Sequence, residues 1–159
     1  MPASSQRVYA TQKVRVVKTI DVPAKYAYTW LTDFRESDGF LSSRKPEYSV
    51  QRIGNDQVVR VRKLSLEKGQ VAVAVELVRL MPPNRWHVDQ IDVEDLETVD
   101  YTVRGAGPRR CRVELRMVER WMVPKHPSAA QVRDGTAKFW DKIALAIEED
   151  YRKGRAPDA

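Results

Sequence analysis

Residues 16–33 read VVKTIDVPAKYAYTWLTD, and the two halves of this stretch follow different periods. In the segment 13–20 (KVRVVKTI), Val14, Val16 and Ile20 fall on one parity and Arg15 and Val17 on the other, a composition that predicts a strand. Asp21-Val22-Pro23 then marks a helix start, because a proline at the first helical position gives up an N–H that would have no partner there. Tyr26, Ala27, Trp30, Leu31 and Phe34 follow at helical spacing. One strand therefore turns directly into one short helix. Residues 33–41 are less regular and are expected to add another short turn of helix before Gly39.

Further along, strand signals take over. Segments 48–53, 57–66, 70–80, 85–93, 96–104 and 109–123 are separated by short turn-forming groups such as Gly54-Asn55-Asp56, Pro82-Pro83-Asn84 and Gly105-Ala106-Gly107-Pro108. Connections this short make sequence neighbours antiparallel neighbours in space. With the first strand, seven are expected. The last alternates most clearly: Cys111, Val113, Leu115, Met117 and Trp121 share one parity, and Arg110, Arg112, Glu114, Arg116 and Arg120 share the other. Side chains change face at every residue of a strand, so this one has a buried face and a charged, wet face.

Pro124-Lys125-His126-Pro127 ends that strand, and Ser128 with Gln131 predicts a capping box. Val132, Thr136, Phe139, Trp140, Ile143, Ile147 and Tyr151 form one helical stripe, and Lys153-Gly154 closes the helix. Gly135 inside it costs about 1 kcal/mol relative to alanine. It marks a close approach to the sheet, a slight bend or a tolerated surface glycine. The order of short helix, strands and long helix predicts an α+β domain in which a curved antiparallel sheet grips the terminal helix.

The 159 residues suit one domain: a flexible lead-in at 1–12, a folded unit at 13–154 and a tail at 155–159. The net charge of +6 favours acidic or phosphate-bearing partners, but the basic residues are interleaved with acids, as on a solvated surface. No apolar run is long enough to span a bilayer. The polar N-terminus lacks an apolar signal core and Cys111 is the single cysteine, so a reducing, cytoplasmic setting is expected.

The chain resembles the START-like, Bet v 1-like (SRPBCC) superfamily over nearly its whole length, 13–153. The resemblance rests on the order of segments and on residues 16–33, which are similar to that superfamily's opening pattern of a strand, a small residue, a proline, a helix with an aromatic, and Leu-x-Asp. It implies a helix-grip fold with a cavity between sheet and long helix. Members include lipid carriers, hormone receptors, polyketide aromatase/cyclases and regulators of ribosomes or chaperones, and one fold hosts many activities.

Binding of a small, mostly apolar ligand, lipid-, polyketide- or isoprenoid-like, is the function expected from these features. The nominated cavity walls are Trp30, Tyr48, Val61, Val73, Val75 and Tyr101, then Leu115 and Met117, then Phe139, Trp140 and Ile143 of the terminal helix. Glu119, on the parity of Leu115 and Met117, is the polar contact. A carboxyl there is desolvated enough to serve as a general acid or base unless the strand end emerges into solvent or an arginine pairs with it. Tyr101 and Glu119 are accordingly the catalytic candidates of an alternative, cyclase-like reading.

Glu76 is expected to face outward, because Val71, Val73, Val75 and Leu77 form the more apolar parity of their strand. Cys111 is expected to act as a small buried hydrophobe, and His126 as a solvated loop histidine. No His/Cys spacing resembles a metal set, and no cofactor motif is present. A further alternative is an interaction module that binds RNA, a ribosome or an acidic protein through a basic surface such as Arg60 with Arg62 or Arg112 with Arg116, although no aromatics are interleaved there and Glu114 suggests cross-strand ion pairs instead. Monomer and homodimer both remain open.

Overall fold

The computed structural model describes residues 7–42 and 44–156, so residues 1–6 of the lead-in and 157–159 of the tail lie outside the described residues. Seven strands form one antiparallel sheet: β1 (Ala10–Ile20), β2 (Glu47–Ile53), β3 (Gln57–Ser65), β4 (Val71–Met81), β5 (Arg85–Ile91), β6 (Asp95–Gly105) and β7 (Cys111–Trp121). Their order in space is β1-β7-β6-β5-β4-β3-β2. α1 (Ala24–Leu31) and a 3-10 turn (Glu36–Leu41) follow β1, and α2 (Ala129–Arg152) closes the chain.

β1 starts inside the stretch expected to be lead-in, because Ala10, Thr11 and Gln12 pair with Trp121, Arg120 and Glu119 of β7. Pro23 occupies the N-cap position of α1, one residue earlier than expected. Ser128 and Gln131 form the reciprocal capping box of α2. Beneath Gly135 an added Cβ would meet nothing, so it is a surface glycine.

Residues paired directly across strands share a face, so the register sorts the concave side into rows. One row reads Val14, Met117, Val99, Val88, Val78, Val58, and the next Val16, Leu115, Tyr101, Trp86, Leu80. These are the apolar rows. α2 packs chiefly along β1, where Lys18 Nζ meets Asp141 Oδ1 at 2.5 Å and the Asp21 N–H donates to Glu148 Oε1 at 3.0 Å. The Trp30 indole N–H donates to Asp150 Oδ2 at 2.9 Å and ties α1 to α2. Ile20, Val22, Leu115 and Ile147 are fully buried at the centre of this packing.

A third row is different. Gln12, Glu119, Glu97, Gln90, Glu76 and Arg60 lie side by side across six strands, polar at every position. Glu76 therefore faces inward, against expectation, and is only 5% exposed. Val73 and Leu77 face out at 41% and 45% exposed. β4 is apolar on both parities, so bulk alone does not choose its buried face. The choice is made by register: Arg60 stands opposite Glu76 and neutralises it.

Candidate functional site

α2 leans on the β1 side of the sheet, and the 3-10 turn packs beside β2, so a cavity stays open between them. Its volume is about 140 Å³. Sheet residues Tyr48, Arg60, Glu76, Trp86, Val88, Gln90, Glu97 and Tyr101 form the floor. Phe139, Trp140 and Ile143 of α2 form one wall, and Leu31, Phe34, Asp38 and Leu41 the other.

The aromatic part is built from strand register. Trp86 and Tyr101 are paired across β5 and β6, and their rings stack at 4.5 Å with planes 4° apart. Tyr28 meets Trp86 edge-on at 5.9 Å, and Trp140 tilts over Tyr101 at 6.0 Å. Phe34, in the wall, holds a positive φ of 44°, a conformation uncommon for a non-glycine residue. Burial pushes the Tyr101 phenol above its ordinary range, so it stays a hydrogen-bond donor.

The polar part centres on Arg60. Its guanidinium pairs with Glu76, lies 4.3 Å from the centre of the Tyr48 ring and 5.3 Å from that of Phe34, and stands 4.0 Å from Asp38. Burial raises the Asp38 carboxyl, against the opposing pull of Arg35 and Arg60. A charge held this way between aromatic faces is both satisfied and aimed at the cavity.

Beyond Gln90 the row turns acidic. Glu97 and Glu119 are paired in register, and with Asp95 they bring carboxylate oxygens within 4.8 Å of one another. Burial raises Glu97 to about 8, with the Glu119 charge adding to the effect. Burial also raises Glu119, and the Trp121 indole and the Glu97 carboxyl beside it hold it down in part. Glu97 therefore keeps its proton near neutral pH beside the Glu119 carboxyl. Asp95 is raised to about 6 by burial and by neighbouring Asp92 and Glu119. Three such carboxyls can hold a proton or a cation.

Five nominated residues, Tyr48, Tyr101, Phe139, Trp140 and Ile143, come together around the cavity. Trp30, Leu115 and Met117 are buried in the apolar core instead. Glu119 is 3% exposed and sits beside Glu97 at the acidic end. Val61, Val73 and Val75 are on the opposite, convex face, for the reason that turns Glu76 inward. Asp38, Arg60, Glu76, Trp86, Gln90 and Glu97 were not nominated. Glu97 carried the clearest signal, lying two and four residues from Val99 and Tyr101 on the inward parity of its strand.

Elsewhere, Cys111 is fully buried, and burial raises its thiol to about 11. His126 is half-buried: its ring stacks on Trp121 at 5.5 Å, and Nδ1 lies 3.1 Å from Gln12 Nε2. Glu114 pairs with both Arg15 and Arg116, and Arg62 with Asp92. A wider hollow of about 340 Å³ lies near Arg62, Ala74 and Asp92, lined also by Leu64, Val93 and Glu94 but by no aromatic ring.

No family model matches the chain, and no curated protein matches it. Solved structures do. The Zhui aromatase/cyclase from Streptomyces sp. R1128 aligns over 92% of this chain and 98% of its own, with a TM-score of 0.65 and 13% identity. A START superfamily protein from Mycobacterium smegmatis aligns over 89% and 97%, with a TM-score of 0.65 and 13% identity. Norcoclaurine synthase from Thalictrum flavum aligns over 91% and 88%, with a TM-score of 0.59 and 11% identity. The chain thus has the SRPBCC, Bet v 1-like helix-grip fold. No helix among the described residues is long and apolar enough to cross a membrane.

Proposed function

We propose that the protein binds a compact, largely aromatic small molecule between the concave face and α2. The observation that carries this reading is the Trp86–Tyr101 stack beside Trp140, in one cavity lining with the Arg60–Glu76 pair. Cavities with apolar walls and a few placed polar groups are the usual form of small-molecule sites. The size narrows the ligand class. A dry cavity of about 150 Å³ accepts one benzene ring, so a volume of about 140 Å³ suits a single ring or a small fused system rather than a long acyl chain. Arg60 and the Tyr101 hydroxyl favour hydroxyl or carbonyl substituents on that ring.

The test is quenching of tryptophan fluorescence by a panel of hydroxylated one- and two-ring aromatics, with fatty acids as the comparison. Saturable quenching by the aromatics, lost in Trp86→Leu and weakened in Arg60→Gln, is the expected result. Saturable binding of fatty acids alone would overturn the ligand class.

The Glu97–Glu119 pair supports a second reading, a cyclase-like enzyme. A carboxyl that keeps its proton near neutral pH suits proton transfer to a bound carbonyl. Glu97, Glu119 and Tyr101 would then be the acid–base groups. Deuterium exchange into a bound enolisable ketone, abolished in Glu97→Gln, separates that reading from simple binding.

A further inference from the structure

We propose that the convex face of β3, β4 and β5 docks against the same face of a second copy of this chain, forming a two-fold symmetric dimer. Val61, Val75 and Ile91 are paired in one row of that face, and Val59 and Leu77 in the next, with Val73 alongside. Val73 and Leu77 are largely exposed, and Ile91 is 50% exposed. The rest of the same convex face is mostly polar. Across β6, β7 and β1 it presents Asp100, Arg116 and Arg15 in one row and Thr102, Glu114 and Val17 in the next. Contiguous exposed apolar patches of this kind mark interaction sites.

The rim of the patch indicates the occupant. Glu47, Lys63 and Arg79 are in no ion pair among the described residues. Lys63 pairs with Val73, one strand and one row to one side of Val75, and Asp89 pairs with Leu77, one strand and one row to the other side. An in-plane two-fold axis through Val75, perpendicular to the line from Lys63 to Asp89, therefore sets Lys63 over Asp89 of the second copy, twice. On ordinary strand spacings the same axis brings Glu47 close to Arg79. The patch is thus complementary to itself in charge. Glu47 and Asp89 balance Lys63 and Arg79, so the rim carries no net charge to draw an anionic lipid surface. The patch is smaller than the 20–30 residues a side of a standard interface, so the dimer is a weak one.

Sedimentation velocity of the full chain tests this between about 1 µM and about 1 mM, the range in which small interfaces dissociate. The mass is expected to rise from monomer to dimer across that range. Leu77→Ser should leave only monomer. Lys63→Glu should raise the midpoint about tenfold, and Lys63→Glu combined with Asp89→Lys should restore it. Near-UV circular dichroism of the tryptophans confirms that each variant is folded. A monomer at every concentration overturns the proposal and leaves the face to a different protein or a membrane. So does a dimer that survives Leu77→Ser, or a double reversal that fails to restore association.

Discussion

Glu76 and Leu77 are neighbours in the chain and occupy opposite environments. The charged residue is buried on the concave face, and the aliphatic one is exposed on the convex face. The inversion holds across the middle of the sheet. On the concave side Arg60, Glu76, Gln90 and Glu97 form a polar floor, while on the convex side Val61, Val75 and Ile91 form an apolar row. A sheet whose only task is to bury a core has no reason for either feature. The polar floor is retained because it faces a cavity rather than close-packed side chains. Within it Arg60 and Glu76 satisfy each other across β3 and β4.

Substitutions at matched positions on the two faces break the comparison most sharply. Trp86 is buried and stacked on Tyr101, whereas Ile91, at the end of the same strand, is half exposed on the other face. Trp86→Ala is expected to lower unfolding free energy by about 4 kcal/mol, the range for deleting a buried aromatic. Ile91→Ala should cost about 0.5 kcal/mol, as surface changes do. Urea denaturation of both variants measures the difference, and equal losses would refute the assignment of faces. The next largest contrast is between two arginines. Arg60→Ala strands the Glu76 carboxylate in the wall and should cost about 3 kcal/mol. Arg79→Ala, on the convex face of β4, should be within about 0.5 kcal/mol of the parent.

How much of this was legible in the chain differs from strand to strand. β7 announced its faces, because its outer parity is nearly all charge and its inner parity nearly all apolar. That parity set Glu119 with Leu115 and Met117, and the register puts it beside Glu97 rather than in the cavity lining. β4 concealed its faces. Ala72, Ala74, Glu76 and Val78 look like the weaker core parity next to Val71, Val73, Val75 and Leu77, yet Ala74, Glu76 and Val78 are the buried ones. The rule that the bulkier parity faces the core assumes a uniformly apolar interior and a uniformly polar exterior. Both assumptions fail here, the first at the cavity floor and the second on the convex patch. The missing information was pairing: Glu76 becomes readable only once Arg60 is known to stand opposite it. The capping box at Ser128 and the α2 stripe needed no such partner and were legible outright.

The acidic end of the polar row sharpens the same comparison through pH. Folded Glu97 holds its proton up to about 8, whereas an ordinary glutamate releases it near 4.5. Between those values the folded protein binds a proton that the unfolded chain has lost, so stability is full below about 4.5 and falls as pH rises through about 8. Asp95 contributes a smaller fall between 3.8 and about 6. Glu97→Gln stays neutral throughout and should flatten the slope. At pH 9 it should be more stable than the parent by on the order of 2 kcal/mol, once solvent screening at this half-buried site is allowed for. Thermal melts from pH 4 to pH 9 in both proteins show it, and parallel curves would place the proton elsewhere.

The smallest expected effect is the most discriminating about the convex face. If Val71, Val73, Val75 and Leu77 formed the core side of β4, Leu77→Ser would open a cavity and cost about 3 kcal/mol. On the exposed face, at a dilution where only monomer is present, the same change should alter unfolding free energy by less than about 0.5 kcal/mol. Its consequence should appear instead in association, because the leucine's remaining partner is outside the chain. A stability that is unchanged when dilute but reduced only when concentrated would tie the apolar row to a docking role. A large loss at all concentrations would return Leu77 to the core and dissolve the contrast between the two faces.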